Sequence, residues 1–187
     1  MFSGGAFVSS KEIARSFNFP KALSSLYIIP TFFKGIYYVP SEKERKGHFI
    51  DKPAQFFSNL FDFAYGRKKW YWSLSTAARH YGSEWSSTKI LEIVAVGESK
   101  KLDIISRAES LGRKRSYRSR TLSKILLSLG INLVFIHKGK RIFLKEIKID
   151  SELGPVATKE RLKKDAVFFL PRNKDKSLRR LYKKYLQ

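Results

Sequence analysis

Residues 8–40 read VSSKEIARSFNFPKALSSLYIIPTFFKGIYYVP, and the order of signals in this stretch decides the fold at the N-terminus. Ser9-x-x-Glu12 has the spacing of a capping box, in which the Ser hydroxyl and the Glu carboxylate satisfy orphan backbone donors reciprocally. Ile13, Ala14 and Phe17 follow as an apolar face, so a helix is predicted from about Ser9 to a break at Asn18-Phe19. Pro20 opens a second short helix through about Tyr27, with Ala22, Leu23 and Leu26 turned inward. Pro30 ends that unit, and Phe32–Val39 alternates around Gly35 as a β-ribbon or single strand closed by Pro40-Ser41. Helix, break, helix and glycine-bearing ribbon is the order of a small winged helix-turn-helix. In that module the second helix enters the major groove and the ribbon touches backbone or minor groove. The same order also suits an α/β cap on a larger domain. On the DNA-binding reading, Lys21, Ser24 and Ser25 face DNA from the second helix, Lys11 and Arg15 touch phosphate, and Lys34 with Tyr37 sits on the wing.

Working outward, residues 41–48 (SEKERKGH) are polar and charged and make the best linker candidate. They divide the chain into a winged-helix-like N-terminal domain, 1–48, and an α/β C-terminal domain, 49–187. The fold class expected is α/β (α+β), the second domain being built on a mixed sheet. Pro53 opens a helix carrying Phe56, Phe57, Leu60, Phe61 and Ala64. Ser73 or Ser75 caps another, running through Tyr81 to Gly82. Ile90–Val96 is apolar on both faces, as in a central strand, and Leu102–Ser106 is a second strand candidate. Thr121–Leu129 is helical and stopped by Gly130, while Ile131–His137 and Arg141–Ile149 read as a hairpin around Lys138-Gly139-Lys140. After Gly154-Pro155 comes a basic tail. Its last helix sets Leu178, Leu181, Tyr182 and Tyr185 on one face, with Arg179, Arg180, Lys183 and Lys184 behind them.

The 187 residues carry 38 basic and 16 acidic side chains, a net charge of +22. Residues 1–98 hold only +5 of that, and residues 99–187 hold +17. Such self-repulsion adds nothing to fold stability, so a polyanionic partner explains it most economically, with nucleic acid first. A basic surface without a partner is the alternative. The chain has no Cys, which excludes disulfides, Cys-zinc sites and thiol catalysis. No stretch approaches the ~18 apolar residues of a membrane span, and the N-terminus lacks a basic region followed by an apolar run, so a soluble, cytoplasmic protein without membrane partners is expected.

Arg113-Lys114-Arg115-Ser116-Tyr117-Arg118-Ser119-Arg120 places five basic residues just ahead of the 121–129 helix, where the macrodipole disfavours cations. The run is badly placed for stability and well placed for gripping phosphate. Two Glu-x-Lys pairs, Glu98/Lys100 and Glu146/Lys148, have the spacing used by metal-dependent nucleases, but this pattern arises easily in a Lys-rich chain. His48, His80 and His137 are far apart and lack metal-ligand spacing. Trp70-Tyr71-Trp72 suits a core or a domain junction better than a stacking platform. No catalytic residue, metal site or cofactor is expected.

Three blocks carry a resemblance to a known family. Val8-Ser9-Ser10-Lys11-Glu12-Ile13-Ala14, Lys34-Gly35-Ile36-Tyr37-Tyr38-Val39-Pro40 and Trp72-Ser73-Leu74-Ser75-Thr76-Ala77-Ala78-Arg79-His80-Tyr81-Gly82 resemble, in order and spacing, blocks of the AbiEi-type antitoxins. These are transcriptional regulators of type IV abortive-infection toxin–antitoxin pairs. The resemblance covers roughly the first half of the chain. It implies an N-terminal winged helix, an α/β C-terminal domain, autorepression at a duplex DNA operator and neutralisation of a nucleotidyltransferase-like toxin. One departure is that the segment between Ser9 and Gly35 is short for a full winged helix. Charge alone does not separate DNA from RNA.

Overall fold

The computed structural model describes residues 4–16, 18–82, 89–173 and 176–186. The chain opens with strand β1 (Ala6–Ser9) and passes directly into helix α1 (Ser10–Ser16). Ser9 and Glu12 form the capping box at this junction: the Ser9 backbone N–H donates to Glu12 Oε2 at 2.7 Å and the Glu12 N–H donates to Ser9 Oγ at 3.3 Å. Ile13 is fully buried, whereas Ala14 is exposed, and Phe17 lies outside the described residues. Helix α2 (Phe19–Ser24) is capped by Asn18, whose side chain accepts from the Lys21 N–H, with Pro20 at its start. It ends three residues earlier than predicted. Pro30 belongs to a two-residue strand, β2 (Ile29–Pro30), which lies at the edge of the sheet where a missing N–H costs no ladder bond. Strand β3 (Ile36–Val39) is central, antiparallel to both neighbours, with register Ser9↔Ile36 on one side and Pro30↔Tyr37 on the other. The 31–35 turn needs glycine at its end. Gly35 has φ +77, and a Cβ there would stand 3.3 Å from Ser10 Oγ.

The charged run is not a linker. It forms helix α3 (Glu42–Gly47), with a second capping box between Ser41 and Glu44. Glu44 is buried because its carboxylate accepts from Tyr38 OH at 2.9 Å, the Ser41 N–H at 2.8 Å and the Asp51 N–H at 3.1 Å. Helix α4 (Pro53–Tyr65) buries Phe56, Phe57, Leu60 and Phe61, at the predicted spacing.

Strand β4 (Trp70–Trp72) is not anticipated as a strand, though its Trp-Tyr-Trp cluster is core; helix α5 (Leu74–His80) and strand β5 (Ile90–Ala95) follow as predicted. Two expectations fail, the strand candidate Leu102–Ser106 beyond Asp103 and the hairpin around Gly139. Strand β6 is Lys100–Asp103, and the chain then turns into helix α6 (Ile104–Gly112), capped by Asp103 accepting from the Ser106 N–H. Helix α7 (Tyr117–Ser128) begins four residues early, with Ser116 as its cap. Strand β7 (Leu133–Lys138) does not form a hairpin with the residues after it: it runs parallel to β5, Ile90↔Leu133 through Ala95↔Lys138. Residues Arg141–Lys145 make a 3-10 turn, and β8 (Ile147–Asp150) pairs antiparallel with β9 (Gly154–Ala157). Alternating polarity identifies a strand but not its partner, and β5, buried on both faces, offers β7 a longer hydrogen-bonded edge. Helices α8 (Lys159–Phe169) and α9 (Lys176–Lys184) complete the chain.

The fold is mixed α/β. Its sheets have the orders β1-β3-β2 and β6-β7-β5-β4-β9-β8. Two compact units are formed, and their division is not the linear one at residue 48. The first unit combines residues 1–64 with 102–132, and the second combines 65–101 with 133–187. The small core of the first is Val8, Ile13, Ala22, Ile28 and Val39. Among the described residues no helix is long and apolar enough to cross a membrane.

Candidate nucleic-acid interface

In the first unit, Lys11 and Arg15 are exposed one turn apart on α1. Lys21, Ser24 and Ser25 are exposed along α2 and its C-cap. Both hydroxyl protons are already used: Ser24 Oγ donates to the Lys21 carbonyl at 3.0 Å and Ser25 Oγ to the same oxygen at 2.9 Å. Outward, these serines present acceptor lone pairs only, while Lys21 presents a charge. Lys34 is exposed in the 31–35 turn. Tyr37, expected beside it on a wing, instead packs half-buried against the small core.

The basic run is split by secondary structure. Arg113 is the C-cap of α6 and faces Glu109 at 3.9 Å; Lys114 and Arg115 are exposed in the connection. Ser116 Oγ accepts from the Ser119 N–H at 3.2 Å, so Tyr117, Arg118 and Arg120 belong to the first turn of α7. That turn contains no acidic residue, and cations there work against the helix dipole. Tyr117 is exposed, with its hydroxyl 3.4 Å from His48 Nε2. Arg118 is half-buried and its buried Nε has no hydrogen-bond partner among the described residues, while Arg120 is exposed.

In the second unit, α9 is fixed by its apolar face: Leu178, Tyr182 and Tyr185 are buried, and Arg179, Arg180, Lys183 and Lys184 are exposed. Beneath it lies a polar cluster built on the start of α5, where Leu74 takes a left-handed φ of +48. That backbone lets Ser73 Oγ donate to Asp165 at 2.6 Å and the Ser75 N–H donate to Glu92 at 3.0 Å. Asp165 also receives Tyr71 OH at 2.9 Å, and its Oδ1 accepts from two nitrogens of Arg161, Nη2 at 2.6 Å and Nε at 2.8 Å. Glu92 is fully buried; Tyr182 OH donates to it, and His137 Nε2 stands 2.9 Å away. Burial pushes the Glu92 carboxyl up. The hydrogen bonds and charge of His137, with those of Tyr182 and Ser75, outweigh it and hold the group below the usual carboxylate range. Burial and the Glu92 charge push the Tyr182 hydroxyl far above the ordinary tyrosine range, keeping it a donor.

The second Glu-x-Lys pair has other employment. Glu146 faces Arg161 at 3.5 Å and is also bound by Lys164, and Lys148 lies 4.8 Å over the Tyr81 ring. Glu98 is exposed after β5, and Lys100 begins β6. Among the described residues no three His, Asp or Glu side chains come together to hold a metal ion.

One cationic concavity escaped the sequence reading. Lys101, Lys138, Lys140 and Arg172 line a single pocket of about 570 Å³ in the second unit, together with Phe135 and Phe168. These lysines come from separate stretches, each too short to register as a basic run. By unit, the first carries 15 basic and 7 acidic residues (+8) and the second 23 and 9 (+14). Comparison of the chain with protein families, curated proteins and solved structures yields no match.

Proposed function

We propose that this protein is a non-catalytic, duplex-DNA-binding transcriptional regulator that acts in the cytoplasm. Its first unit reads DNA in the manner of a winged helix, and its remaining basic surface adds phosphate grip. The observation that carries the reading is the arrangement of residues 6–39. Two short helices are inserted between the first two strands of an antiparallel sheet ordered β1-β3-β2, with the cations of α1, α2 and the 31–35 turn exposed. Strand–helix–helix–hairpin supports a recognition role for α2 and a backbone role for the turn. The cations at the start of α7 support the electrostatic part, because a protein gains no folding stability from Arg at a helix N-terminus. On this reading, and in keeping with the AbiEi resemblance, the chain represses its own operator and neutralises a nucleotidyltransferase-like toxin.

The test is to separate reading from grip. Lys21→Ala should narrow the preference for operator over random duplex more than it lowers raw affinity. Neutralising Arg113, Lys114, Arg115 and Arg120 together should lower affinity for both duplexes alike. Equal effects of the two variants on both quantities would remove α2 from the reading.

A further inference from the structure

We propose that the second unit binds a free nucleotide carrying a polyphosphate, in the pocket lined by the start of β6, the carboxyl half of β7 with the residues that follow it, and the end of α8. The carboxyl end of a parallel strand in an open α/β sheet is where small ligands generally bind. The volume of about 570 Å³ falls within the range of about 300–1,000 Å³ typical of such sites.

One backbone device builds the pocket. Gly139 approaches β5 so closely that a Cβ there would fall 2.3 Å from Val94 Cγ1, and its N–H donates to the Ala95 carbonyl at 2.9 Å. Gly139 thereby continues the edge of β7 against β5, and Lys138 and Lys140 flank this close approach. The Lys138 N–H is in turn held by Ser99 Oγ at 3.1 Å.

The lining has two chemical halves. Beside Lys100, which also lines the pocket, Lys101, Lys138, Lys140 and Arg172 contribute four cations; among the described residues no carboxylate lines the pocket and none of these four makes an ion pair. Convergent cations without counter-charge repel one another, and a chain of phosphates is the anion whose charge density matches several of them. The other half is aromatic. Lys101 Nζ lies 5.7 Å from the Phe135 centroid, and the Arg172 guanidinium lies 3.8 Å from that of Phe168. A guanidinium lying over a ring gives a base a stacking platform. His137 is locked between Glu92 and Phe169, its ring centroid 4.8 Å from that of Phe169, and its Nε2 is committed to Glu92. Inorganic phosphate would use the cations and leave the aromatic wall wet, whereas an apolar ligand would do the reverse. A nucleotide uses both. A single strand carries one phosphate per base, which matches four converging cations less well than a polyphosphate does. This inference does not rest on duplex reading by the first unit.

The experiment is titration of the full chain at physiological salt with ATP, GTP, tripolyphosphate and a short oligothymidylate. A nucleotide triphosphate should bind about 5- to 150-fold tighter than tripolyphosphate, the worth of stacking one base. Phe168→Leu should weaken the nucleotide about tenfold and leave tripolyphosphate within about twofold. Lys140→Gln, at an exposed position without folding cost, should weaken both, whereas Lys124→Gln and Lys163→Gln should weaken neither. Nucleotide no tighter than tripolyphosphate would overturn the proposal. So would indifference to Phe168→Leu and Lys140→Gln, or oligothymidylate binding tighter than either nucleotide and displacing it.

Discussion

Replacing Glu92 by Gln keeps the shape of a fully buried side chain and removes its charge. The carboxylate accepts from the Ser75 N–H at 3.0 Å on one oxygen, and from Tyr182 OH and His137 Nε2 on the other. A glutamine can answer only one side. With its oxygen toward Tyr182 and His137, its NH₂ abuts the Ser75 N–H, and a buried orphan donor costs about 1–3 kcal/mol. The two surviving bonds fall from charge-assisted to neutral, which removes about 1 kcal/mol each. The sum is a loss of about 3–5 kcal/mol, the size expected when one partner of a buried charged pair is removed. Urea unfolding followed by the fluorescence of Trp70 and Trp72, both buried in the same unit, measures it directly. At about 2 kcal/mol per molar urea, the midpoint should drop by about 2 M. The pH dependence gives a second reading. The folded pKa of Glu92 is lowered, so its contribution is complete above the ordinary carboxylate range and is lost as pH falls through the lowered value. The gap between wild type and Glu92→Gln should therefore close on acidification. A gap below about 0.5 kcal/mol at neutral pH, or one that does not change with pH, would refute the account of the network.

Other outcomes follow from the first unit and the basic surface. Glu44→Ala orphans Tyr38 OH and the Asp51 N–H and should destabilise by about 3 kcal/mol, whereas Lys43→Ala on the same helix, whose ion pair with Asp51 is exposed, should change stability by under about 0.5 kcal/mol in thermal unfolding. Gly35→Ala should cost about 1–2 kcal/mol, because its φ of +77 and the nearby Ser10 hydroxyl both oppose a side chain; denaturant titration reads it. Neutralising Arg113, Lys114, Arg115 and Arg120 should flatten the dependence of log K on log salt by about 0.9 for each phosphate that is no longer neutralised, measured by fluorescence anisotropy on duplex DNA.

Features with a local cause were legible in the sequence. The Ser9/Glu12 capping box, the α4 aromatic spacing, the two-sided apolar run of β5 and the amphipathic α9 depend on neighbours within a few residues, and each is present. Features decided at long range were not. Helix α6 looked like a strand because Leu102, Ile104 and Ile105 cluster, although Asp103-x-x-Ser106 carried the capping signal. Strands β7 and β8 alternate plausibly as a hairpin, and only the pairing of β7 with β5 rules it out. The run 41–48 looked like a linker because nothing local shows that Glu44 meets Tyr38 and Asp51. The basic run announced itself by density. The pocket did not, since residues near 100, 138 and 172 meet only through the sheet.

The central claim, that the first unit reads duplex DNA, is tested most directly by competition. The full chain is bound to the duplex upstream of its own reading frame, and random duplex and structured RNA are added at about 50 and 200 mM salt. The account predicts that all affinities fall with salt while the preference for the upstream duplex persists at the higher concentration and shrinks in Lys21→Ala. Equal binding of upstream and random duplex at both concentrations, or tighter binding of the RNA, would contradict it.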